Sequence, residues 1–411
     1  MSTPEPTPTT PAAATTATGE PDPTNGATVS DPTTDTLSPL HDEHVALGAA
    51  LTSFAGWQMP LRYSSDIAEH TAVRTAAGLF DLSHMGELEI TGPQAGAALD
   101  AALVGHLSAL ADGRARYTMI VDEHGAVLDD LVVYRLAPER FVVVANASNV
   151  DVVRAALVER LAGFDATLDD ASLRTALVAV QGPRAAEILA SVAEASDVDA
   201  VRALTYYAAV PATVAGLPAL VARTGYTGED GFELFVDASD APALWRALLT
   251  AGEPHGLVPA GLSARDSLRL EAGMPLYGNE LDRTTTPYDA GLGRVVRLDK
   301  TDADGKPLDF VGRAALAGRH DSEPARVLVG LQGLGRRAAR HGYPVLASSA
   351  PDAPHVGTVT SGAPSPTLGH PVAMAYVTPE VSAPGTELAV DVRGRAELVR
   401  VVALPFYRRP R

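Results

Sequence analysis

Up to about residue 325, the chain shows two patterns of apolar and polar residues, and these patterns alternate along it. Apolar positions spaced as on one face of a helix alternate with short apolar runs that are typical of strands. These patterns predict helices over residues 64–77, 150–161, 243–250 and 263–271, strands over 79–91, 117–121, 127–135, 141–145 and 176–180, and a hairpin around 225–231. Because no steady strand–helix–strand order emerges, the pattern favours an α+β fold over a doubly wound sheet.

From about residue 326 the pattern changes to short strands separated by clusters of Gly, Pro and Ser. The predicted strands cover residues 327–331, 356–361, 372–377, 387–392 and 398–403. Closely spaced short strands are typical of a small β-barrel or sandwich. We therefore predict an all-β, barrel-like C-terminal domain over residues 322–411, with the boundary between residues 312 and 325.

Two units in the first region are similar to each other. The strand over 79–91 is followed by Gly92-Pro93 and a helix, and the strand over 176–180 is followed by Gly182-Pro183 and a helix. Either the region contains two related halves, or Gly-Pro simply suits the start of a helix in both places. The sequence leaves both interpretations open.

The first 38 residues differ in composition from the rest of the chain. They are rich in Pro, Thr and Ala, contain five acidic residues and lack Lys and Arg. Such a segment buries too little apolar surface to offset the entropy of ordering it, so we predict a disordered acidic tail over residues 1–38. It has neither the basic start and apolar centre of a secretory signal nor the arginines of a transit peptide.

Composition narrows the classes of function. The length of 411 residues indicates two or three domains, and the net charge of −18 disfavours nucleic acid as a partner. No apolar run reaches the roughly 18 residues of a membrane span, so no membrane is expected. The chain has no cysteine, which excludes disulfides and thiolate catalysis and fits a cytoplasmic location. His41 and His44 lack the further ligands that a metal site needs, so no metal is expected.

An Asp-Asp pair lies inside an apolar, strand-like run over residues 127–134. Neighbouring side chains on a strand face opposite ways, so Asp129 and Asp130 are not expected to share a role. The pair either forms a strand-end turn or faces solvent, or it places one carboxylate in a partly desolvated wall beside a cationic or proton-rich substrate atom.

A glycine-rich hairpin provides a second candidate. Three glycines between residues 225 and 231 mark a tight turn whose backbone can approach a ligand. Glu233 follows this turn. It either faces solvent or holds a flat ring that presents adjacent N–H donors.

The charged helix predicted over residues 263–271 provides the third candidate. Asp266 and Arg269 have the spacing of an ion pair, as on an exposed helix. Arg265 lies near the helix start, where an arginine can instead bind a carboxylate in bidentate fashion.

Several segments of the chain, taken together in their order, resemble the motifs of one protein family. They are Ser38-Pro39-Leu40 with His44, residues 54–63 and 80–86, Asp129-Asp130-Leu131, Gln181-Gly182-Pro183, and residues 225–229, 264–274 and 360–366. In this order they resemble the motifs of the T-protein family of the glycine cleavage system. The resemblance covers about residues 38–411.

The resemblance implies a fold and a set of site residues. It implies a folate-binding region over residues 39–315 with two intertwined mixed α/β subdomains, followed by the barrel-like domain. Asp130, the second residue of its pair, matches the family's catalytic aspartate. The positions that the resemblance assigns to folate contact are Tyr117, Val132, Asn146, Glu233, Arg265 and Arg408.

The resemblance also implies a reaction. A lipoylated carrier, the H-protein of the glycine cleavage system, brings an aminomethyl group on sulfur. Ammonia leaves, and the one-carbon unit passes to tetrahydrofolate as co-substrate, giving 5,10-methylenetetrahydrofolate. The chain is therefore expected to be an aminomethyltransferase with the H-protein as its partner.

Three other functions are compatible with the same architecture. The first is a folate-dependent methyltransferase or demethylase for a small substrate, although the segment 80–86 favours the aminomethyltransferase branch. The second is the folate-binding half of a flavin-dependent amine dehydrogenase, which would need a flavin domain that does not fit before residue 38. The third is a non-enzymatic folate-binding accessory protein, which would not need Asp130 and Arg265.

Overall fold

The computed structural model of the chain describes residues 35–302 and 304–410. The predicted disordered tail falls mostly on residues 1–34, which lie outside the described residues. The described part begins with a short strand, because Thr36 and Leu37 pair in parallel with Trp57 and Gln58. Ordered pairing therefore starts before residue 38.

The described residues form nine α-helices. They are α1 (His41–Ala46), α2 (Asp66–Thr75), α3 (Ala95–Ala102), α4 (Val150–Leu161), α5 (Ala185–Val192), α6 (Val198–Ala203), α7 (Ala241–Gly252), α8 (Leu262–Glu271) and α9 (Arg313–Arg319). The four predicted helices are confirmed as α2, α4, α7 and α8, with ends shifted by at most two residues. Ser65 caps α2 by accepting a hydrogen bond from the backbone N–H of Ala68 at 3.2 Å.

The same residues form twenty strands. The strands of the first region are β1 (Thr36–Leu37), β2 (Ala50–Phe54), β3 (Trp57–Arg62), β4 (Ala77–Asp81), β5 (Gly86–Thr91), β6 (Arg114–Val121), β7 (Val127–Ala137), β8 (Arg140–Ala145), β9 (Thr167–Asp170), β10 (Thr175–Gln181), β11 (Ala209–Val214), β12 (Leu217–Ala222), β13 (Gly231–Asp237) and β14 (Leu257–Pro259). The strands of the C-terminal region are β15 (Val327–Gly333), β16 (Pro344–Leu346), β17 (His355–Pro364), β18 (Pro371–Val377), β19 (Glu387–Asp391) and β20 (Ala396–Val402).

The strands form three open sheets and one barrel. The sheet orders are β1-β3-β2, β6-β7-β8-β5-β9 and β11-β12-β13-β10-β4-β14, and the closed barrel is β15-β18-β17-β16-β19-β20. The predicted α+β class with a C-terminal all-β barrel is confirmed. Strand β16 was not predicted, because three residues are too short to show alternation. Helical structure gives way to the barrel between Arg319 and Val327.

The five-stranded and six-stranded sheets are built in the same way. In each half, a strand leads through a Gly-Pro turn into a helix, and three antiparallel strands and a further helix follow; the second half has one additional helix, α6, before its three strands. The two turns also make matching contacts: Gln94 N–H donates to Asp165 O, and Arg184 N–H donates to Ala76 O, both at 3.0 Å. This correspondence favours two related halves over a coincidence of Gly-Pro turns.

The two halves exchange strands. Strand β4 lies in the six-stranded sheet and the next strand, β5, lies in the five-stranded sheet, whereas β9 and β10 make the reverse crossing. The crossing segments touch, because Leu82 N–H donates to Leu177 O at 2.8 Å and Ala171 N–H donates to Glu87 O at 2.9 Å. The single strand predicted over residues 79–91 is therefore wrong. Its continuous apolar pattern conceals a change of sheet at residues 82–85.

The exchanged sheets face each other across an apolar core. Phe80, Leu177 and Phe235 of the six-stranded sheet contact Tyr134 and Val144 of the five-stranded sheet in this core. Helices α3 and α4 cover the outer face of the five-stranded sheet, and α5, α6 and α7 cover the outer face of the other. The first region is thus layered as helices, sheet, sheet and helices.

A buried ionic network joins the first region to the barrel at Glu271 in α8. Arg74 of α2 donates from Nη2 to Glu271 Oε2 at 2.9 Å, and His70 Nε2 lies 3.1 Å from the same oxygen. From the barrel, Thr367 Oγ1 donates to Glu271 Oε2 at 2.7 Å. Because the carboxylate is fully buried, these partners are needed to keep its charge satisfied.

Replacing Gly182 by alanine is expected to lower the free energy of unfolding by about 2 to 4 kcal/mol. Gly182 has a φ of 134°, and an added Cβ would lie 2.6 Å from Ala76 O. Gly163→Ala is the matched control, because Gly163 has a φ of 94° with nothing within 4 Å, so only backbone strain of about 1 kcal/mol is expected. Unfolding in urea measures both variants, and equal losses would contradict the close packing at Gly182.

The Glu271 network predicts a dependence of stability on pH. Burial alone would raise the pKa of Glu271, but hydrogen bonds from His70, Ser365 and Thr367 lower it to about 2. The ionised carboxylate therefore stabilises the fold above its ordinary pKa of 4.5, and this stabilisation is lost as the pH falls towards 2.

We expect Glu271→Gln to unfold at a lower temperature than the wild type at neutral pH. The difference should shrink between pH 4.5 and pH 2, where the wild-type carboxylate becomes protonated. Thermal-unfolding midpoints across this range measure the effect. A difference that is the same at every pH would contradict the stabilising role of the charge.

Candidate active site

Strand β7 places Asp129 and Asp130 on opposite faces of the five-stranded sheet. Asp129 is fully buried and accepts hydrogen bonds from Asn146 N–H at 3.0 Å and from Asn149 Nδ2 at 2.7 Å. It therefore fixes the turn after β8. Because β7 continues to Ala137, the alternative of a solvent-facing pair at a strand end is wrong.

Asp130 points to the face that packs against the other sheet. It is partly exposed, accepts a hydrogen bond from Tyr117 OH at 2.9 Å and accepts another from Asn146 Nδ2 at 2.8 Å. Tyr117 lies directly across from Val132 in the ladder of β6 and β7, and Val132 is two residues beyond Asp130 on the same face. The structure thus brings four of the predicted site residues together.

The environment of Asp130 raises its pKa above the ordinary value of an aspartate. Desolvation raises the pKa of Asp130, while the hydrogen bonds from Tyr117 and Asn146 act in the opposite direction. Burial and the neighbouring charge of Asp130 raise the pKa of Asp129 as well. Two adjacent carboxyl groups in a desolvated wall thus hold protons more readily than free aspartates do.

Glu233 lies on the facing sheet, on the side that meets this core. In the ladder it is the partner of Ala179 and Ala222, which belong to the core between the sheets. Its Oε2 accepts hydrogen bonds from Thr224 Oγ1 and, at 3.4 Å, from Tyr134 OH. Within the described part of the chain, Oε1 has no hydrogen-bond partner, so one carboxylate oxygen remains available to a ligand.

Arg265 lies in the first turn of α8, and its guanidinium stacks over the ring of Tyr226 at 4.9 Å. Burial lowers the pKa of Arg265, and the charge of Glu233 opposes this effect. Among the described residues, no ion pair or hydrogen bond engages its guanidinium. This cation is therefore available to an anionic group.

The expectation of an exposed, ion-paired helix for α8 holds only in part. Arg269 pairs with Asp266 at 2.8 Å, as its spacing predicts. However, the Arg269 side chain is buried and also pairs with Glu280 at 2.8 Å. The helix therefore presents its arginines to the protein interior.

The C-terminal segment returns to the glycine-rich loop. Tyr407 N–H donates to Glu271 O at 2.8 Å, and the Arg74 guanidinium lies 4.1 Å from the centre of the Tyr407 ring. Arg409 pairs with Asp230 of the loop at 3.4 Å. Arg408 is exposed beside this contact, and its role in binding stays a prediction.

Two further tyrosines, Tyr207 and Tyr226, complete the walls of the candidate site. The sequence alone did not single them out. Burial raises the pKa of Tyr207, and the charges of Tyr206, Glu233 and Asp130 add to the effect. Burial likewise raises the pKa of Tyr226, with Asp130 among the contributing charges. Tyr226 could have been found as an aromatic residue inside a glycine-rich turn. The positive φ of Tyr207, 61°, leaves no signal in the sequence.

The arrangement suits a planar heterocycle with an anionic tail, placed so that its reacting atoms meet Asp130. Glu233 offers an acceptor, the tyrosines offer flat surfaces and Arg265 offers a cation. No group of acidic or histidine side chains among residues 35–302 and 304–410 has the arrangement of a metal site. None of the helices there has the length and apolarity required to cross a membrane.

Comparison with known proteins gives a consistent result. The family model described as GCVT N-terminal domain matches residues 40–300, and the Glycine cleavage T-protein C-terminal barrel domain matches residues 326–408. The chain is 59% identical to an aminomethyltransferase of Saccharopolyspora erythraea, covering 90% of this chain and 98% of the relative. It is 60% identical to one of Streptomyces coelicolor, with coverage of 90% and 97%.

A solved structure gives the same result at the level of the fold. The crystal structure of glycine cleavage system aminomethyltransferase T from Bartonella henselae superposes with a TM-score of 0.81 at 36% sequence identity. The match covers 91% of this chain and 98% of that structure.

Proposed function

The chain belongs to the family of glycine cleavage T-proteins and is an aminomethyltransferase, and we propose that Asp130 is its catalytic carboxylate. It releases ammonia from an aminomethyl group carried on the sulfur of a lipoyl arm and transfers the one-carbon unit to tetrahydrofolate, giving 5,10-methylenetetrahydrofolate, while the C–S bond breaks and the sulfur leaves as a thiol. The observation that supports the assignment is the cluster of Asp130, Tyr117 and Asn146 on the wall opposite Glu233.

The residues around this cluster fit tetrahydrofolate. The free oxygen of Glu233 suits the adjacent N–H donors of a pterin ring, and Tyr226 and Tyr207 provide aromatic walls. Arg265 is available to a carboxylate of the glutamate tail, and Arg408 offers a second cation on the returning C-terminal segment. When bound, tetrahydrofolate supplies the amine nitrogens that accept the one-carbon unit.

Asp130 acts where charge changes during the reaction. As ammonia leaves the aminomethyl group, positive charge develops on the transferred carbon, and a preorganised, desolvated carboxylate stabilises that charge. Tyr117 and Asn146 each hold one oxygen of Asp130, so the carboxylate does not need to reorient. The raised pKa of Asp130 also suits it to take up a proton from the attacking nitrogen.

The family places the chain within the glycine cleavage system, and the lipoylated H-protein is the proposed carrier. The net charge of −18 argues against long-range attraction to an acidic carrier, so docking has to rest on local contacts. The identity of about 60% to proteins named aminomethyltransferase gives no support to a methyltransferase, a demethylase or an accessory role. The cytoplasmic location stays a prediction.

Asp130→Asn is expected to keep the fold and to reduce turnover by about 100-fold or more, because it removes a preorganised charge from the reacting centre. The measurement is single-turnover ammonia release from aminomethyl-loaded carrier protein, with and without tetrahydrofolate. Unchanged tetrahydrofolate binding and an unchanged thermal-unfolding midpoint serve as controls. Turnover near the wild-type value would exclude Asp130 as the catalytic carboxylate.

Arg265→Gln is expected to weaken tetrahydrofolate binding by about 10- to 100-fold, because it removes a charge-assisted hydrogen-bond donor. Calorimetric titration at fixed ionic strength measures the dissociation constant. Arg202→Gln, on the exposed surface of α6, makes the same change in net charge and is expected to leave affinity unchanged. Equal affinity in the two variants would argue against a contact at Arg265.

A further inference from the structure

One side-chain amide connects the two carboxyl groups of the Asp-Asp pair, although these groups lie on opposite faces of β7. Asn146 Nδ2 donates to Asp129 Oδ1 at 2.9 Å and to Asp130 Oδ1 at 2.8 Å. The same nitrogen lies 3.1 Å from the backbone oxygen of Asp130. The chemistry described above uses only the contact with the Asp130 carboxyl group. The contact with Asp129 connects a second, fully buried carboxyl group to the reacting centre.

The ladder of β7 and β8 explains how one residue reaches both carboxyl groups. Val132 pairs with Val144, so Asn146, two residues further along its strand direction, comes level with Asp130. Asn146 directly follows the end of β8 and precedes the 3-10 turn Ala147–Asn149 that leads into α4. Because the strand ends there, the Asn146 side chain can contact groups on both faces of β7.

The hydrogen bonds decide which end of the Asn146 amide faces the pair. The atoms around Nδ2 are two carboxyl oxygens and one backbone carbonyl oxygen. An amide oxygen placed there would face three acceptors, so the N–H groups have to occupy this position. Oδ1 is therefore directed away from the pair. Asn146 is partly exposed, and within the described part of the chain no group donates to its Oδ1, so this acceptor is available to a ligand.

Asp129 holds the Asn146 amide in this orientation. Its Oδ1 accepts from Asn146 Nδ2 and, at 2.7 Å, from Asn149 Nδ2. Its Oδ2 accepts from the backbone N–H of Asn146 at 3.0 Å. The carboxyl group thus binds the backbone and the side chain of Asn146 together. Such a buried and fully engaged group fixes both the position and the rotation of the amide.

We propose that Asp129 is a positioning residue of the transfer reaction, an inference that rests on the function proposed above. Through Asn146, Asp129 holds Oδ1 of Asp130 in place and turns the acceptor oxygen of Asn146 towards bound tetrahydrofolate. Tyr117 holds the other oxygen of Asp130 at 2.9 Å, so both oxygens are fixed by groups that do not react. The two aspartates therefore cooperate through a shared amide although their side chains face opposite ways.

Asp129→Asn is expected to lower the rate constant of single-turnover ammonia release at saturating tetrahydrofolate by about 10-fold, because Asp130 loses its exact placement. The substitution preserves size but replaces one acceptor oxygen by a donor. In either orientation of the new amide, this donor faces an N–H group of Asn146, which has to move. The half-saturating concentration of tetrahydrofolate should rise by no more than about 3-fold, since only one hydrogen bond to the ligand is affected. A wild-type rate constant in the folded variant would refute the proposal.

Asn149→Ala is the matched control for a purely structural role. Asn149 Nδ2 donates to the same oxygen of Asp129, and in the described part of the chain it makes no hydrogen bond to Asp130. Its loss weakens the turn after β8 and leaves the Asn146 bridge in place. We expect a lower thermal-unfolding midpoint with a wild-type rate constant. If this variant loses as much rate as Asp129→Asn, the effect belongs to the turn and the positioning role is wrong.

A double-mutant cycle tests whether Asp129 acts through Asn146. In an Asn146→Ala background no amide is left to position, so adding Asp129→Asn should change the rate constant by less than about 2-fold. In the wild-type background the same substitution should cost about 10-fold. A structural role lowers the rate equally in both backgrounds, and that result would exclude the amide as the link.

Asn146→Ala alone covers the case in which Asp129→Asn does not fold. The truncated side chain is partly exposed, so no buried void results, and the rate constant should fall by about 10-fold or more. A wild-type rate constant would show that no amide is needed to hold Asp130, against the proposal. If Asp130→Asn leaves turnover unchanged, the proposed function fails. If Asp130→Asn abolishes turnover while Asp129→Asn and Asn146→Ala retain the wild-type rate constant, the inference about Asp129 alone fails.

Discussion

The exchange of strands between the two sheets is the constraint on which the site depends. Because β4 and β10 lie in one sheet while β5 and β9 lie in the other, the halves cannot separate without breaking strand pairs in both. The walls that carry Asp130 and Glu233 therefore keep a fixed spacing. A reaction that gains its rate from positioning and preorganised charge needs such a frame, since an error of about 1 Å in placement lowers the rate by about 100-fold.

Helix α8 connects this frame to the barrel. Arg265, in its first turn, faces the glycine-rich loop, whereas Arg269 and Glu271 bind the barrel through Ser361 and Thr367. The helix is thus oriented by the barrel at one end and presents a free guanidinium at the other. This dual role explains why the ten residues of α8 include so many charged ones. It also explains why the spacing of charges, which is typical of an exposed helix, occurs in a helix whose arginines face the protein interior.

The sequence predicts the elements of this fold better than their arrangement. The alternation in β7 and the helical spacing in α4 are local, so both are visible in the residues themselves. The crossing at residues 82–85 is not visible in the sequence. The apolar pattern is the same whether the chain continues in one sheet or passes into the other. For the site, the Asp-Asp pair is anomalous enough to be noticed in an apolar strand. Tyr207 is not, because its place in the wall depends on a positive φ of 61° that the residue type does not predict.

The distribution of charge separates the two ends of the site. The whole chain carries a net charge of −18, which repels an anionic folate at long range, so binding has to rely on local cations. In the proposed binding mode, Arg265 and Arg408 supply them near the glycine-rich loop, whereas the carboxyl group of Asp130 lies at the reacting end. An anionic tail and a carbon that becomes positive during transfer are therefore favoured at opposite ends. In the proposed binding mode, this polarity orients the folate before any reaction occurs, since a reversed ligand would place its carboxylates against Asp130.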